Sequence, residues 1–145
     1  MNNKETKFWL NFGTVSFLIL IIIVSLCLWL SPRNGSTENA EVLIQYLPEN
    51  ISEEEAGEAI SCVKNYFTAN FKGCTLLKIE STEKSNSENT ELSSRYGNDK
   101  MISFYSDFKT GKFNGELSNY IYNEWRWVVI KNTNGDWEVA EYGVL

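Results

Sequence analysis

Apolar residues are arranged in two ways along this chain: first as one unbroken run, then as short groups with helical or alternating spacing. The run, Phe8 to Leu30, reads FWLNFGTVSFLILIIIVSLCLWL and holds no charged residue in 23 positions. As a helix it would extend roughly 34 Å, enough for a hydrocarbon layer of about 30 Å. Trp9 and Trp29 stand near its ends, where indoles favour the headgroup zone. The pattern predicts a cytoplasmic tail over residues 1–7, a single-pass transmembrane helix over 8–30, a polar tether over 31–40 and one folded domain over 41–145. Lys4 and Lys7 precede the run, and Arg33 alone follows before Glu38 and Glu41. Positive-inside bias then places the N-terminus in the cytoplasm and the domain outside the cell membrane. A cleaved export signal is the alternative, although the run exceeds the usual apolar core of about 7–15 residues and no Ala-x-Ala follows. Lipid attachment at Cys27 would need a small residue before it, where Leu26 stands, and Leu28-Trp29-Leu30 continue the run past it.

Beyond the tether the spacing changes. Glu41 to Leu47 is a brief, partly apolar stretch that fits a strand or a helix start. Ser52 followed by Glu53, Glu54 and Glu55 has the form of a capping box, with three acids at the positive end of a helix dipole. Ala56, Ala59, Ile60, Val63, Tyr66, Phe67 and Phe71 then recur as a helical stripe that Gly73 brings to an end. Strands are expected over 74–80, 101–108, 117–131 and 137–144, with 81–98 left as a polar loop or weak edge strand. In the longest strand, Ile121, Trp125, Trp127 and Val129 share one alternating face, and Tyr120, Tyr122, Val128 and Ile130 share the other. Asn134-Gly135 suits a two-residue type I′ turn, which would set Ile130 opposite Val139, Lys131 opposite Glu138 and Trp127 opposite Tyr142. The class is α+β, with one long helix packed on a curved antiparallel sheet. The helix can cover one face only, so the other is expected to carry a second layer, line a pocket or meet another protein.

Composition narrows the chemistry. Residues 33–145 hold 11 of the 13 bases and 18 of the 19 acids, a net of −7 against −6 for the whole chain. That surface disfavours nucleic acid and anionic lipid as partners. The chain has no histidine, which removes imidazole ligands and Ser-His or Cys-His dyads. Cys62 and Cys74 could form a disulfide or remain two separate thiols.

The capped helix, the strand after Gly73-Cys74, the stretch MISFYSDF and the ending WRWVVIKNTNGDWEVAEYGVL together resemble the extracellular NTF2-like (cystatin-like) domains of uncharacterised Gram-positive membrane proteins and lipoproteins. The likeness covers residues 50–145 and is sharpest in the closing hairpin. It implies a cone-like fold whose sheet wraps a pocket partly closed by the helix. Such domains include enzymes, accessory domains and assembly subunits, so fold leaves function open. Enzyme members commonly pair an Asp with a His or a second acid.

Asp107, Glu124 and Glu141 are the candidate pocket carboxylates, each equally at home as a solvated acid on a sheet rim. Arg126 could neutralise Glu124 or Glu141. Glu53, Glu54, Glu55 and Glu58 are explained by capping and match no calcium loop. Trp125, Trp127, Val128, Ile130 and Trp137 are the candidate binding residues, as a ligand wall or an exposed apolar face; helix-covered core is the plainer role for the tryptophans. The expected function is a non-catalytic, membrane-anchored extracellular binding domain, with a protein or small apolar molecule as partner and no metal or cofactor. A small-molecule hydrolase or isomerase and an assembly subunit of a secretion or conjugation complex are the alternatives.

Overall fold

The computed structural model describes residues 16–28, 33–98, 100–112 and 117–144. Within the apolar run the described helix, α1, covers residues 16–28. Its thirteen residues rise about 20 Å, short of a hydrocarbon layer. Among the described residues no helix is long and apolar enough to cross a membrane. The single-pass span, the membrane as partner and the cytoplasmic and extracellular assignments that hung on it are therefore not supported. The tail, and residues 8–15 and 29–30 of the expected span, lie outside the described residues.

The second compact unit runs from Arg33. Its elements are β1 (Glu41–Ile44), α2 (Glu53–Asn70), β2 (Thr75–Ser81), α3 (Glu83–Asn86), α4 (Asn89–Tyr96), β3 (Met101–Lys109), β4 (Ile121–Lys131) and β5 (Trp137–Gly143). The strands form one sheet in the order β1-β2-β3-β4-β5. The sheet is mixed rather than wholly antiparallel, because β1 runs parallel to β2. Parallel neighbours need a crossover, and α2 supplies it. Residues 33–36, expected in a free tether, are instead tied into the fold. Gly35 N donates to Thr68 O at 3.0 Å, and Ser36 bridges Thr75 in parallel. A Cβ at Gly35 would lie 2.6 Å from Phe67 O, so this contact requires glycine.

α2 begins as its sequence dictates. The Ser52 hydroxyl accepts from Glu55 N at 3.2 Å and Glu55 Oε2 accepts from Ser52 N at 3.1 Å. Its buried stripe, Ala56, Ala59, Ile60, Val63 and Phe67, packs on Leu76, Ile79, Ile102, Phe104, Phe108, Trp127 and Val129. Trp127, Phe67 and Phe104 are completely buried. Large rings fill the space beneath the helix, so the pocket that a cone would wrap there is occupied by core.

The opposite face carries a layer that hydrophobic periodicity did not foretell. α3 starts with a Thr82–Ser85 capping box, and α4 stops at Gly97 in the left-handed region (φ 60). Leu92 of α4 covers Met101, Val128 and Ile130, all buried, with Tyr96 alongside. Val128 and Ile130, expected on an open apolar face, are thus interior at 1% and 9% exposure. Asn86 ties α3 to the sheet: its amide donates to Ser103 O at 3.1 Å and its carbonyl oxygen accepts from Ser103 N at 2.9 Å.

The β4–β5 register departs from the expected one beside the turn. Gly135 N donates to Asn132 O at 2.9 Å, and Gly135 has φ 89. Asn132 Oδ1 also accepts from Asn134 N and Asp136 N, each at 3.0 Å. Residues 133–135 therefore make a three-residue loop with glycine in the left-handed position, not a two-residue I′ turn. Val129 faces Val139 and Ile130 faces Glu138, one step from expectation. A bulge between Val128 and Val129 absorbs that step, and Trp127 still faces Tyr142. A second irregularity puts Asn123 and Glu124 opposite Asp107, with Glu124 at φ 52. It turns Tyr122 onto the tryptophan face, where it stacks on Phe108 with ring centroids 4.9 Å apart.

Candidate binding groove

β5 is an edge strand, hydrogen-bonded to β4 alone in the sheet order. Where its first half passes α2, the two elements leave an open cleft of about 740 Å³. Glu58, Ser61, Cys62, Asn65 and Tyr66 line it from the helix, and residues 135–139 line it from the hairpin. The helix side follows from the 3.6-residue period, which turns these positions to the flank of the buried stripe. On the strand side, Trp137 Nε1 donates to Glu58 Oε2 at 3.0 Å and the Lys131 ammonium sits 5.4 Å from the same indole. The Cys62 thiol donates to Trp137 O at 3.2 Å. Three acids, Glu58, Asp136 and Glu138, surround the cleft, and Lys131 offsets only Glu58, at 3.8 Å.

Of the candidate binding residues, Trp137 alone lines this cleft. Trp127 is core, and Trp125 lies half-buried among Phe71, Phe108 and Tyr122. Val128 and Ile130 lie beneath α4. Asp107, Glu124 and Glu141 do not converge on a closed pocket. Asp107 pairs with Lys78 at 3.3 Å and accepts from Glu124 N at 3.1 Å. The Glu124 side chain is 62% exposed and pairs with Lys84 at 3.0 Å. Glu141 is 51% exposed and held by the Tyr96 hydroxyl at 3.0 Å and Arg95 at 3.8 Å. Glu124 and Glu141 are exposed, ion-paired acids and Asp107, partly buried, is engaged by Lys78 and the Glu124 amide, so the pocket-carboxylate hydrolase or isomerase loses its basis. Arg126 pairs with neither Glu124 nor Glu141 but with Glu88, at 2.6 Å.

Cys62 and Cys74 form no disulfide. Cys62 faces the start of β5 while Cys74 leads into β2, and three inter-strand steps of nearly 5 Å each separate those strands. Burial, and then the charge of Glu138, push the Cys62 thiol above its ordinary 9.0, which disfavours the thiolate a nucleophile needs. Among the described residues no group of three or more Cys, Asp or Glu side chains could hold a metal ion.

The acids of the first α2 turn include a structural one. Glu55 reaches Lys100 at 2.9 Å and Lys131 at 3.2 Å. Lys100, then the Ser52 amide, hold its carboxyl down to about 2 from an ordinary 4.5. Because the folded value is the lower one, these bonds stabilise the fold fully above pH 4.5 and are lost as pH falls toward 2. Urea titrations of wild type and Glu55→Gln should therefore show a midpoint gap at neutral pH that closes across that window. A gap independent of pH would mean that the carboxylate charge is not its source.

No family model, no curated protein and no solved structure matches the chain. The resemblance of residues 50–145 to NTF2-like domains accordingly stands on the sequence pattern alone. The cleft was missed because Tyr66 reads as part of the core stripe and Glu58, Ser61 and Asn65 beside it read as an ordinary solvated flank. The α3–α4 layer did leave a signal: Thr82-x-x-Ser85 as a cap, Leu92 and Tyr96 one turn apart, and Gly97 as a stop.

Proposed function

We propose that residues 33–144 form a protein-binding domain whose groove between α2 and β5 takes an extended, positively charged segment of a partner. The observation that carries this is the conjunction of a strand edge that pairs with no further strand and an acid-rimmed cleft. An edge strand offers main-chain donors and acceptors at a fixed repeat, and a neighbouring cleft receives alternate side chains of an added strand. β5 carries Glu138 and Glu141 and no base. Like charge opposes pairing with a second copy of the strand, and the bulge in the β4–β5 ladder bends it, both recognised guards against self-association. The same charges favour a lysine- or arginine-bearing segment, whose long stems suit Tyr66 and Trp137. This role needs neither a membrane span nor a catalytic carboxylate, and it replaces the assembly-subunit alternative, which rested on the span.

The test uses two capped peptides of alternating sequence, one Lys-Val and one Glu-Val, titrated into the labelled protein. The Lys-Val peptide should move amide resonances over residues 58–66 and 135–143 in a saturable way, more weakly as salt rises. The double change Asp136→Lys and Glu138→Lys should weaken binding about tenfold or more, mainly through association rate and salt dependence. Equal shifts with the Glu-Val peptide, or shifts confined to other surfaces, would remove the proposal.

A further inference from the structure

A crevice of about 200 Å³ lies where the loop after β1 meets the first turns of α4, at the start of β3. Tyr46 and residues 48–50 form the loop wall, and Asn89, Thr90 and Ser93 face them from the helix. Both walls are fixed. The Ser81 hydroxyl donates to Tyr46 O at 2.7 Å, Ile51 N donates to Pro48 O at 2.9 Å, and Ile51 itself is buried. On the helix side the Asn89 carboxamide is gripped at each end. Its Nδ2 donates to Asn86 Oδ1 and its Oδ1 accepts from Ser103 Oγ, both at 2.7 Å.

The groups left over are polar. A side-chain amide carries two N–H donors, and Asn89 spends one of them. The Thr90 hydroxyl and the Glu49 carboxylate, both on exposed residues, make no hydrogen bond or ion pair with the described residues. Ser93 Oγ donates to Thr90 O at 3.0 Å, and its oxygen still accepts. No cation lines the crevice. Lys100, bonded to Asn50 O, is committed to Glu55 as well.

We propose that this crevice is a subsite for one neutral sugar ring, a pyranose. Sugar hydroxyls donate and accept at once, as do the carboxamide and hydroxyls of the helix wall, and the Glu49 carboxylate accepts from neighbouring hydroxyls. Pro48 offers the C–H face of the ring an apolar contact. An anion would meet Glu49 with no counter-charge. A metal ion would lack ligands, since among the described residues no group of three or more Cys, Asp or Glu side chains could hold one. An extended peptide is read along a strand edge, whereas these walls are a loop and a helix. The volume falls below the roughly 300–1,000 Å³ of sites that enclose drug-sized ligands, so one ring enters and any further ring stays outside. The crevice shares no lining residue with the groove between α2 and β5, and neither proposal depends on the other.

The experiment follows backbone amides over residues 46–51 and 86–93 in the full chain at constant ionic strength. Glucose, galactose and mannose are each titrated to high millimolar concentration. Tetrahydropyran, the same ring without hydroxyls, and the uronate of the sugar that binds best are the controls. A saturable shift with at least one sugar, none with tetrahydropyran and weaker binding of the uronate are expected. Equal binding of that sugar and its methyl glycoside marks the end of a glycan chain as the ligand, and loss with the glycoside marks a free sugar. The double change Thr90→Val and Ser93→Ala, which takes two hydroxyls from the helix wall, should bind at least about tenfold more weakly. If that variant does not fold, the wild-type titrations decide the matter. The proposal is overturned by no saturable shift with any of the sugars, equal shifts with tetrahydropyran, tighter binding of the uronate, or undiminished binding by the folded double variant.

Discussion

Trp127→Ala should lower the stability of the domain by about 3–5 kcal/mol, measured from the urea midpoint at constant slope. The indole has no exposed surface and sits where α2 meets the sheet. Its ring centroid lies 5.4 Å from Phe71, 5.5 Å from Tyr142, 6.1 Å from Tyr66 and 6.4 Å from Phe67. Truncation opens a cavity among large rings that cannot collapse into it. It also removes the hydrogen bond from Nε1 to Ser106 Oγ, at 2.8 Å in a buried setting. Trp127→Phe should recover most of the ring packing and retain a deficit of about 1–3 kcal/mol from that lost bond and residual space. Against a typical total of about 5–15 kcal/mol, the alanine variant would be close to the limit of folding. Trp137→Ala is the matching control. Its indole lines an open groove, so the cost should stay near 1 kcal/mol while binding of a basic peptide falls. Similar costs at the two tryptophans would contradict the division of core from groove drawn above.

Val128→Glu should cost about 3–5 kcal/mol, because it puts a carboxylate among apolar side chains under α4. Val128 is 1% exposed, packed with Leu92, Met101 and Ile130, and it faces Glu141 across the β4–β5 ladder. The new charge would lose water and face the like charge of Glu141. The least costly escape is release of α4, whose 8 residues are too few to stay helical alone. Hydrogen exchange over residues 89–96 should then rise to that of an unstructured peptide while α2 amides stay protected. Val128→Thr, of similar shape, should keep α4 in place at a smaller cost. A Val128→Glu protein with wild-type stability and wild-type exchange over 89–96 would show that this face is open.

The local elements were legible because their determinants are local. The box at Ser52 and Glu55, the stripe from Ala56 to Phe67 and the alternation of Trp125, Trp127 and Val129 each depend on side chains a few positions apart. The closing hairpin shows where that legibility ends. Asn134-Gly135 marks a turn correctly, yet whether two or three residues form it depends on Asn132, whose side chain accepts from the amides of Asn134 and Asp136. That one-residue difference shifts the neighbouring pairs, and only the bulge restores Trp127 opposite Tyr142. Residues 81–98 carry a fainter signal for another reason. Most are polar, and their helices are held by one leucine, one tyrosine and the bonds of Asn86 to Ser103 rather than by an apolar stripe.

By itself, then, the sequence determined the class of the domain, its long capped helix, most of its strands, its acidic surface and the absence of imidazole chemistry, because each follows from spacing or composition. It also contained an apolar run whose length suggested a membrane span, and the described helix of residues 16–28 does not bear that out. Only the tertiary structure decided that β1 runs parallel to β2, that α4 seals Val128 and Ile130, and that the candidate carboxylates are held apart in separate ion pairs. It alone brought α2 and the edge of β5 together as a groove and buried Arg126 against Glu88. These features join residues tens of positions apart, and the free energy that selects them comes from closing the core, which no local window of the chain contains.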